Sequence, residues 1–419
     1  MNSERQMKIG RVARLISGVG FPPSHQGRDS GAYPFLKVSD LGDVVSGYCV
    51  ISARNWVDGK ELRAMGARLV PPGSIIFPKV GAALLKNTRR LLGIPAAMDN
   101  NLMAIAPTAG EGRFWLYALS AIDLGEIAGS GPLPYVNEGQ VRDLRIPFPP
   151  LEEQRRIADF LDAEIRRIDQ LVGLQENLRA LLDERERAQR DQLVNRLAEA
   201  VGEAPLRRFT RRVEQGESPQ CDSAPRVGDS EWGVLKLSAI KRGFFDASEN
   251  KRLPADIKPT AAYEVARGDL LISRANTPNL VGDVAVVDSG QAKLLLPDLI
   301  YRVVLAPGVD ANYVAQVALS GKVRGLIESV ARGSSQSMVK LRGEDIKGWP
   351  IPVASGAQQA QLVEEMARAT DVTGRLRNAV ACQLALLAER RQALITAAVT
   401  GQFDVSTASG RNVTDGVQP

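Results

Sequence analysis

The chain has 419 residues, 44% hydrophobic and 24% charged, with a formal net charge of +5, a profile ordinary for a soluble globular protein with room for two or three cores. No apolar run approaches the ~18 residues of a membrane span, and the start from Met1 to Arg14 is too charged for a signal peptide. Cys49, Cys221 and Cys382 show neither paired nor metal-ligand spacing, so a reducing cytoplasm and no membrane partner are expected.

In chain order, residues 1–146 read as a mixed domain of short apolar runs cut by turns, with strands expected at 74–77 and 102–106 and a helix at 113–124. Residues 147–200 then read as one long helix. From Leu151 to about Arg196 there is no proline and one glycine, and Ile157, Leu161, Ile165, Ile168, Val172, Leu178 and Leu182 recur mostly at three- and four-residue steps. Residues 201–351 repeat the first plan, with strands expected at 269–273, 284–287 and 301–305 and a helix at 312–330. Residues 352–405 form a second long helix with a cleaner stripe: Leu362, Met366, Ala369, Thr373, Leu376, Val380, Gln383, Leu387 and Leu394. Residues 406–419 read as a disordered tail.

The sequence says nearly the same thing twice. Lys37-Val-Ser-Asp-Leu, Pro72-Gly-Ser-Ile-Ile-Phe-Pro-Lys79, Asn101-Leu-Met-Ala-Ile-Ala-Pro107 and Arg145-Ile-Pro147 are answered by Lys236-Leu-Ser-Ala-Ile, Arg267-Gly-Asp-Leu-Leu-Ile-Ser-Arg274, Leu299-Ile-Tyr-Arg-Val-Val-Leu-Ala-Pro307 and Trp349-Pro-Ile-Pro352. The offsets stay between 195 and 205, far beyond the roughly 20 to 50 residues of solenoid repeats, so each copy is a whole domain plus a helix. The expected fold class is α+β multidomain: two pseudo-symmetric mixed α/β domains separated by two long antiparallel helices forming a coiled coil. An apolar seam of this kind needs a partner helix, and the other copy supplies it. Ile157, Leu161, Ile168, Leu178, Leu362, Met366, Leu376 and Leu387 are the seam and docking candidates. At ~1.5 Å per residue each helix runs on the order of 65 Å.

No catalytic constellation emerges. The single histidine, His25, sits in a proline- and serine-rich turn and reads as a loop residue; paired-histidine metal sites are excluded by counting, and a Ser-His-Asp or Cys-His arrangement could be built on this one residue only. No GxxxxGK[ST] loop is present. Gly131-Pro-Leu-Pro-Tyr135 resembles the Pro-Pro-Tyr element of DNA amino-methyltransferases, but a glycine leads it and no AdoMet-binding turn accompanies it, so it reads as a proline-rich loop. Neither a catalytic residue nor a metal ligand is assigned.

What remains suits a binding module. Residues 1–150 hold 17 Lys+Arg against 12 Asp+Glu, residues 201–355 hold 21 against 18, and residues 151–200 hold 9 against 12, so the domains and not the helix carry the positive charge. Polar and basic loops recur after the matched glycine strands: Lys79, Lys86, Asn87, Arg89 and Arg90 in one copy, Arg274, Asn276 and Asn279 in the other. Arginine and lysine pair with guanine O6 and N7, and asparagine with adenine N6 and N7. Lys37, Lys236, Lys241, Arg242 and the loop containing Ser335 and Gln336 are further candidates for phosphates or bases.

These features together resemble the specificity (S, HsdS) subunit of type I restriction-modification systems. The resemblance rests on Ile146-Pro-Phe-Pro-Pro-Leu-Glu-Glu-Gln154 opening the first helix, Trp349-Pro-Ile-Pro352 opening the second, and Leu386-Leu-Ala-Glu-Arg-Arg-Gln-Ala-Leu-Ile-Thr-Ala-Ala-Val-Thr-Gly-Gln-Phe-Asp-Val405 closing it. Two departures stand out: Ala354-Ser-Gly-Ala-Gln-Gln359 where the family has Pro-Pro-x-x-Glu-Gln, and a first helix ending Leu193-Val-Asn-Arg-Leu-Ala-Glu-Ala200 without the Ala-Val-Thr-Gly close. The resemblance implies two target recognition domains, each reading half of a split asymmetric site in double-stranded DNA, set about one duplex turn apart, ~34 Å. It implies two methyltransferase subunits that carry AdoMet and two motor-nuclease subunits that use ATP and Mg2+, with no cofactor on this chain. A non-catalytic coiled-coil scaffold and a single-chain DNA modification enzyme stay open as alternatives on the residues alone.

Overall fold

The structure, a computed structural model, describes residues 6–42, 48–129, 133–288, 292–331, 338–402 and 404–405. The expected tail, residues 406–419, lies outside them. Both long helices are present, Leu151–Val201 and Gly356–Thr400. Each ends at a glycine with positive φ, Gly202 at 72° and Gly401 at 69°, the left-handed conformation that closes a helix and that a Cβ disfavours. The chain divides into two compact units, Met1–Gln175 with Cys382–Pro419, and Glu176–Ala381. These cut across the expected domain limits, because each head takes half of each long helix into its own unit.

In the first unit, β1 (Ala13–Ser17), β2 (Cys49–Val50), β3 (Ile75–Pro78), β4 (Arg90–Leu92) and β5 (Leu102–Pro107) form a sheet in the order β1-β5-β3-β4-β2. The central strand β3 is buried along its whole length, which is why it reads as an unbroken apolar run instead of an alternating one. Ile75 and Phe77 face a core with Phe114 and Trp115 of the Gly112–Ser120 helix, and Ile76 joins Leu36, Leu92 and Met98 on the opposite face, as the two-residue period of a strand requires. Ile157, Leu161 and Ile168 of the first long helix complete that core with Leu394, Ile395, Ala398 and Val399 of the second. Asp169 and Arg391 pair across them.

The second unit repeats the plan. Its strands β6 (Thr210–Gln215), β7 (Ile240–Lys241), β8 (Phe244–Phe245), β9 (Leu270–Ser273), β10 (Val284–Val286) and β11 (Ile300–Leu305) give a sheet in the order β6-β11-β9-β10 and a β7–β8 hairpin. Leu270 and Ile272 face Tyr313, Val314 and Val317, while Leu271 and Ala285 face Leu235 and Leu294. The long helices pair antiparallel here: as the first advances through Asp183, Glu186 and Arg196, its partners on the second retreat through Arg377, Thr373 and Glu365.

The entry and exit of each head are clipped together. Gln6–Lys8 pairs antiparallel with Arg145–Pro147, and Glu203–Pro205 with Pro350–Pro352.

Two expectations need correction. The helix expected over 312–330 is two helices, Ala311–Ala318 and Gly321–Ala331. Ser320 Oγ turns back to the Val317 carbonyl at 2.6 Å, and the Asp191 carboxylate accepts the Gly321 N–H at 2.6 Å, so a side chain from the long helix caps a fresh N-terminus. The seam also differs. Ile157, Leu161, Ile168, Leu362 and Met366 are buried and Leu387 is partly so, but Leu178 and Leu376 are 42% and 44% exposed. On the first helix the buried stripe runs through Leu161, Glu164 and Ile168, then Leu182, Glu186, Arg190 and Val194. It includes three charged residues, so an apolar count alone does not trace the buried seam, and Leu178 and Leu376 stay open only as docking candidates.

Candidate nucleic-acid interface

Lys79 and Arg274 occupy the same place in the two heads. Each follows the central strand of its sheet. The Lys79 N–H donates to Asn101 O and its carbonyl accepts from Val136, while the Arg274 N–H donates to Leu299 O and its carbonyl accepts from Leu341, at 2.8 to 2.9 Å throughout. The side chains diverge. Lys79 Nζ reaches Ser17 Oγ at 3.3 Å. Arg274 donates from Nε to the Tyr301 hydroxyl at 3.0 Å and lies over that ring. The sequence match is therefore a backbone match that displays different chemistry.

The basic run after β3 separates on inspection. Lys86 is exposed. Arg89 is 5% exposed and its guanidinium donates to Asn87 O at 2.7 Å and Ile122 O at 2.6 Å. Burial lowers its pKa to about 10. Asn87, at a φ of 54°, accepts the Leu124 N–H on Oδ1 at 3.1 Å. Arg90 is partly buried and donates from Nη1 to the Arg89 carbonyl at 3.0 Å. Asn87, Arg89 and Arg90 thus tie their loop to the head, and Arg89 presents no free edge to a base. Two carbonyls satisfy a planar guanidinium as well as a guanine does, and a sequence cannot distinguish those partners.

Lys37 is half-buried, bonded to Gln26 at 2.6 Å and stacked over Phe21. Lys236 lies 3.8 Å from Glu249 and Lys241 3.8 Å from Asp246. Asn276 turns its Oδ1 to the next N–H. Ser335 and Gln336 fall outside the described residues. Among the described residues of the second unit, Arg242, Asn279, Phe244 and Arg324 share the rim of a cleft of about 850 Å³ whose far wall is the first long helix. Phe244 was not singled out from the sequence. Its signal is a pair of phenylalanines directly after a Lys-Arg-Gly turn, where a half-buried hairpin would alternate apolar with polar.

Each head is also pinned to its helix by charge. In the first unit Asp162 accepts from the hydroxyls of Tyr48 and Tyr117 and from Arg113, and burial together with the Asp162 charge raises both phenols well above their ordinary range. In the second, Arg190 donates to Gln316 at 3.0 Å and Glu186 at 3.0 Å, and Glu186 is shared with Arg377 and Thr373. Such buried pairs fix register more than they add stability. Among the described residues no group of three or more His, Cys, Asp or Glu is placed to hold a metal ion, and no helix is long and apolar enough to cross a membrane.

The comparisons with known proteins agree with this geometry. Residues 4–179 match the family described as the type I restriction modification DNA specificity domain. The EcoEI specificity subunit of Escherichia coli is 30% identical over 179 residues, 42% of this chain and 30% of that protein. The EcoKI specificity subunit of Escherichia coli K12 is 22% identical over 269 residues, 62% of this chain and 58% of that one. The chain thus matches less than two thirds of the length of either relative. Among solved structures, a chain studied for the complex assembly and conformational transition of a type I restriction-modification system has a TM-score of 0.64 at 15% identity, over 95% of this chain and 98% of its own. The HsdS subunit of Thermoanaerobacter tengcongensis has a TM-score of 0.43 at 17% identity, over 95% and 97%. Residues 4–179 thus carry the type I restriction modification DNA specificity domain, and the chain shares its fold with a chain of a type I restriction-modification system.

Proposed function

We propose that the chain is the non-catalytic, DNA-reading subunit of a type I restriction-modification complex in the cytoplasm, each head recognising one half of a split, asymmetric duplex target. The observation that carries this reading is the repeated sheet order with unlike side chains at equivalent positions, Lys79 in one head and Arg274 in the other. Two readers of one plan but different chemistry suit two different half-sites. The chemistry belongs to partners: two methyltransferase subunits bringing AdoMet, and two restriction subunits using ATP and Mg2+. A docking face for the former is offered by Leu171, Leu174, Leu178 and Leu181, which recur on one side of the first long helix and are 42 to 63% exposed, a stripe that a partner helix would cover.

Mapping methylated adenines genome-wide, with and without the gene, tests the reading. The expected result is one split motif that vanishes with the gene. Exchanging residues 205–350 for those of another specificity subunit should alter one half only. The clipped ends of each head favour such an exchange, and a change in both halves would refute independent readers.

A further inference from the structure

Three non-glycine residues among the described ones have a left-handed φ: Asn87 at 54°, Arg242 at 43° and Lys293 at 63°. An L side chain is strained there, so each should have a compensating reason. Asn87 accepts a backbone N–H through its side chain, and Lys293 donates from Nζ to Ser230 O at 2.8 Å. Arg242 differs. Its side chain is exposed and makes no hydrogen bond or ion pair with a described residue. Its backbone is held, the buried Asp283 carboxyl accepting its N–H and the Gly243 N–H donating to Val284 O at 2.7 Å, and the Asp283 charge attracts its guanidinium without a short contact.

Arg242 and Gly243, both at positive φ, form the two-residue turn between β7 and β8, the connection that matches strand twist and favours Asn or Gly at its first position. Arginine is the wrong residue there for stability. Two residues on, Phe244 is 61% exposed, a large apolar ring left in water close to an exposed guanidinium that no short ion pair with a described residue holds. Of the carboxylates lining the cleft, Asp183 and Glu186 engage Arg377 and Asp191 accepts the Gly321 N–H, while Glu184 and Glu328 also line it and Asp283 lies within electrostatic reach of Arg242. No carboxylate of a described residue ties the Arg242 side chain in a short ion pair.

We propose that the β7–β8 hairpin is a base-reading element of the second head, entering the major groove as a ribbon, with Arg242 on a guanine edge and Phe244 against a thymine methyl. A two-stranded ribbon is among the shapes that groove admits, and these are the side-chain types that read those groups. The inference rests on the DNA-reading function proposed above.

The turn supplies its own control. Arg242→Gly removes the side chain while relieving the backbone, so the melting temperature of the full chain should hold or rise. In cells carrying the complete system, Arg242→Gly and Phe244→Ala should each relax one base pair in one half of the methylated motif by ~10- to 100-fold, the other half unchanged. Four results would overturn the inference. They are an unaltered motif in both variants, relaxation in both halves, uniform loss of methylation with the motif intact, which marks a phosphate contact, and loss of methylation and melting temperature together in Arg242→Gly. If the wild-type gene specifies no split motif, the broader reading fails first, and that outcome is distinct from all four.

Discussion

Gln359 accepts the Asp310 backbone N–H on its side-chain oxygen at 2.8 Å, and Gln154, 205 positions earlier, makes the same bond to Glu111 at 2.9 Å. In each head the acidic residue caps a helix, Asp310 through the Tyr313 N–H and Glu111 through Phe114, and the glutamine fastens that cap to the first turn of a long helix. The glutamine amides donate back to Ala354 O and Pro149 O. The departure of the second helix from the family's opening motif therefore spares the one side chain that makes the joint.

Gln359→Ala should leave the Asp310 N–H and the Ala354 carbonyl unpaired in a half-buried place and lower stability by about 1–3 kcal/mol. Gln359→Glu should do no better, because a carboxylate cannot donate and sits beside Asp310. Denaturant unfolding of the full chain measures both.

The phenols on Asp162 make stability depend on alkaline pH. Tyr48 and Tyr117 have folded pKa values raised by burial and by the Asp162 charge, so their contribution is complete below the unfolded phenol value of about 10 and is lost as pH rises through the folded values. The melting temperature should fall above pH ~10, and Tyr117→Phe should flatten that decline.

Lys86 and Arg89 separate binding from folding. Lys86→Ala should leave stability unchanged and reduce the salt slope of DNA binding by about one. Arg89→Ala should destabilise by about 1–3 kcal/mol, by stranding the carbonyls of Asn87 and Ile122. Salt-titrated binding of the assembled complex, beside thermal melts, distinguishes the two effects.

Leu174→Glu and Leu181→Glu, at 63% and 60% exposure, should weaken co-purification of the methyltransferase subunits while leaving the melting temperature of the chain in place. Unaltered assembly in the double variant would remove this stripe from the docking surface.

How far the sequence could be read depended on scale. The period-two and period-four patterns gave both central strands and both long helices to within a few residues, because burial on both faces of β3 and β9 leaves a run such as Ile75-Ile76-Phe77 little alternative. The seam was harder. Glu186, Arg190 and Thr373 are buried there only because they satisfy one another across two helices, and no local pattern announces that. The binding loops were hardest of all. Arg89 and Arg242 are the same residue type in loops of similar composition, yet one guanidinium is consumed by two carbonyls and the other makes no hydrogen bond with a described residue, a difference set in part by Ile122 and Asp283, segments more than 30 residues away.

The division of the long helices between the two units also bears on the order in which the protein is made. The second unit, Glu176–Ala381, is one continuous stretch and can close as it leaves the ribosome. The first cannot. Its core waits for Leu394, Ile395, Ala398 and Val399, so the head that is synthesised first is completed last, and a message broken after residue 381 would yield one finished head and one left open along its helix.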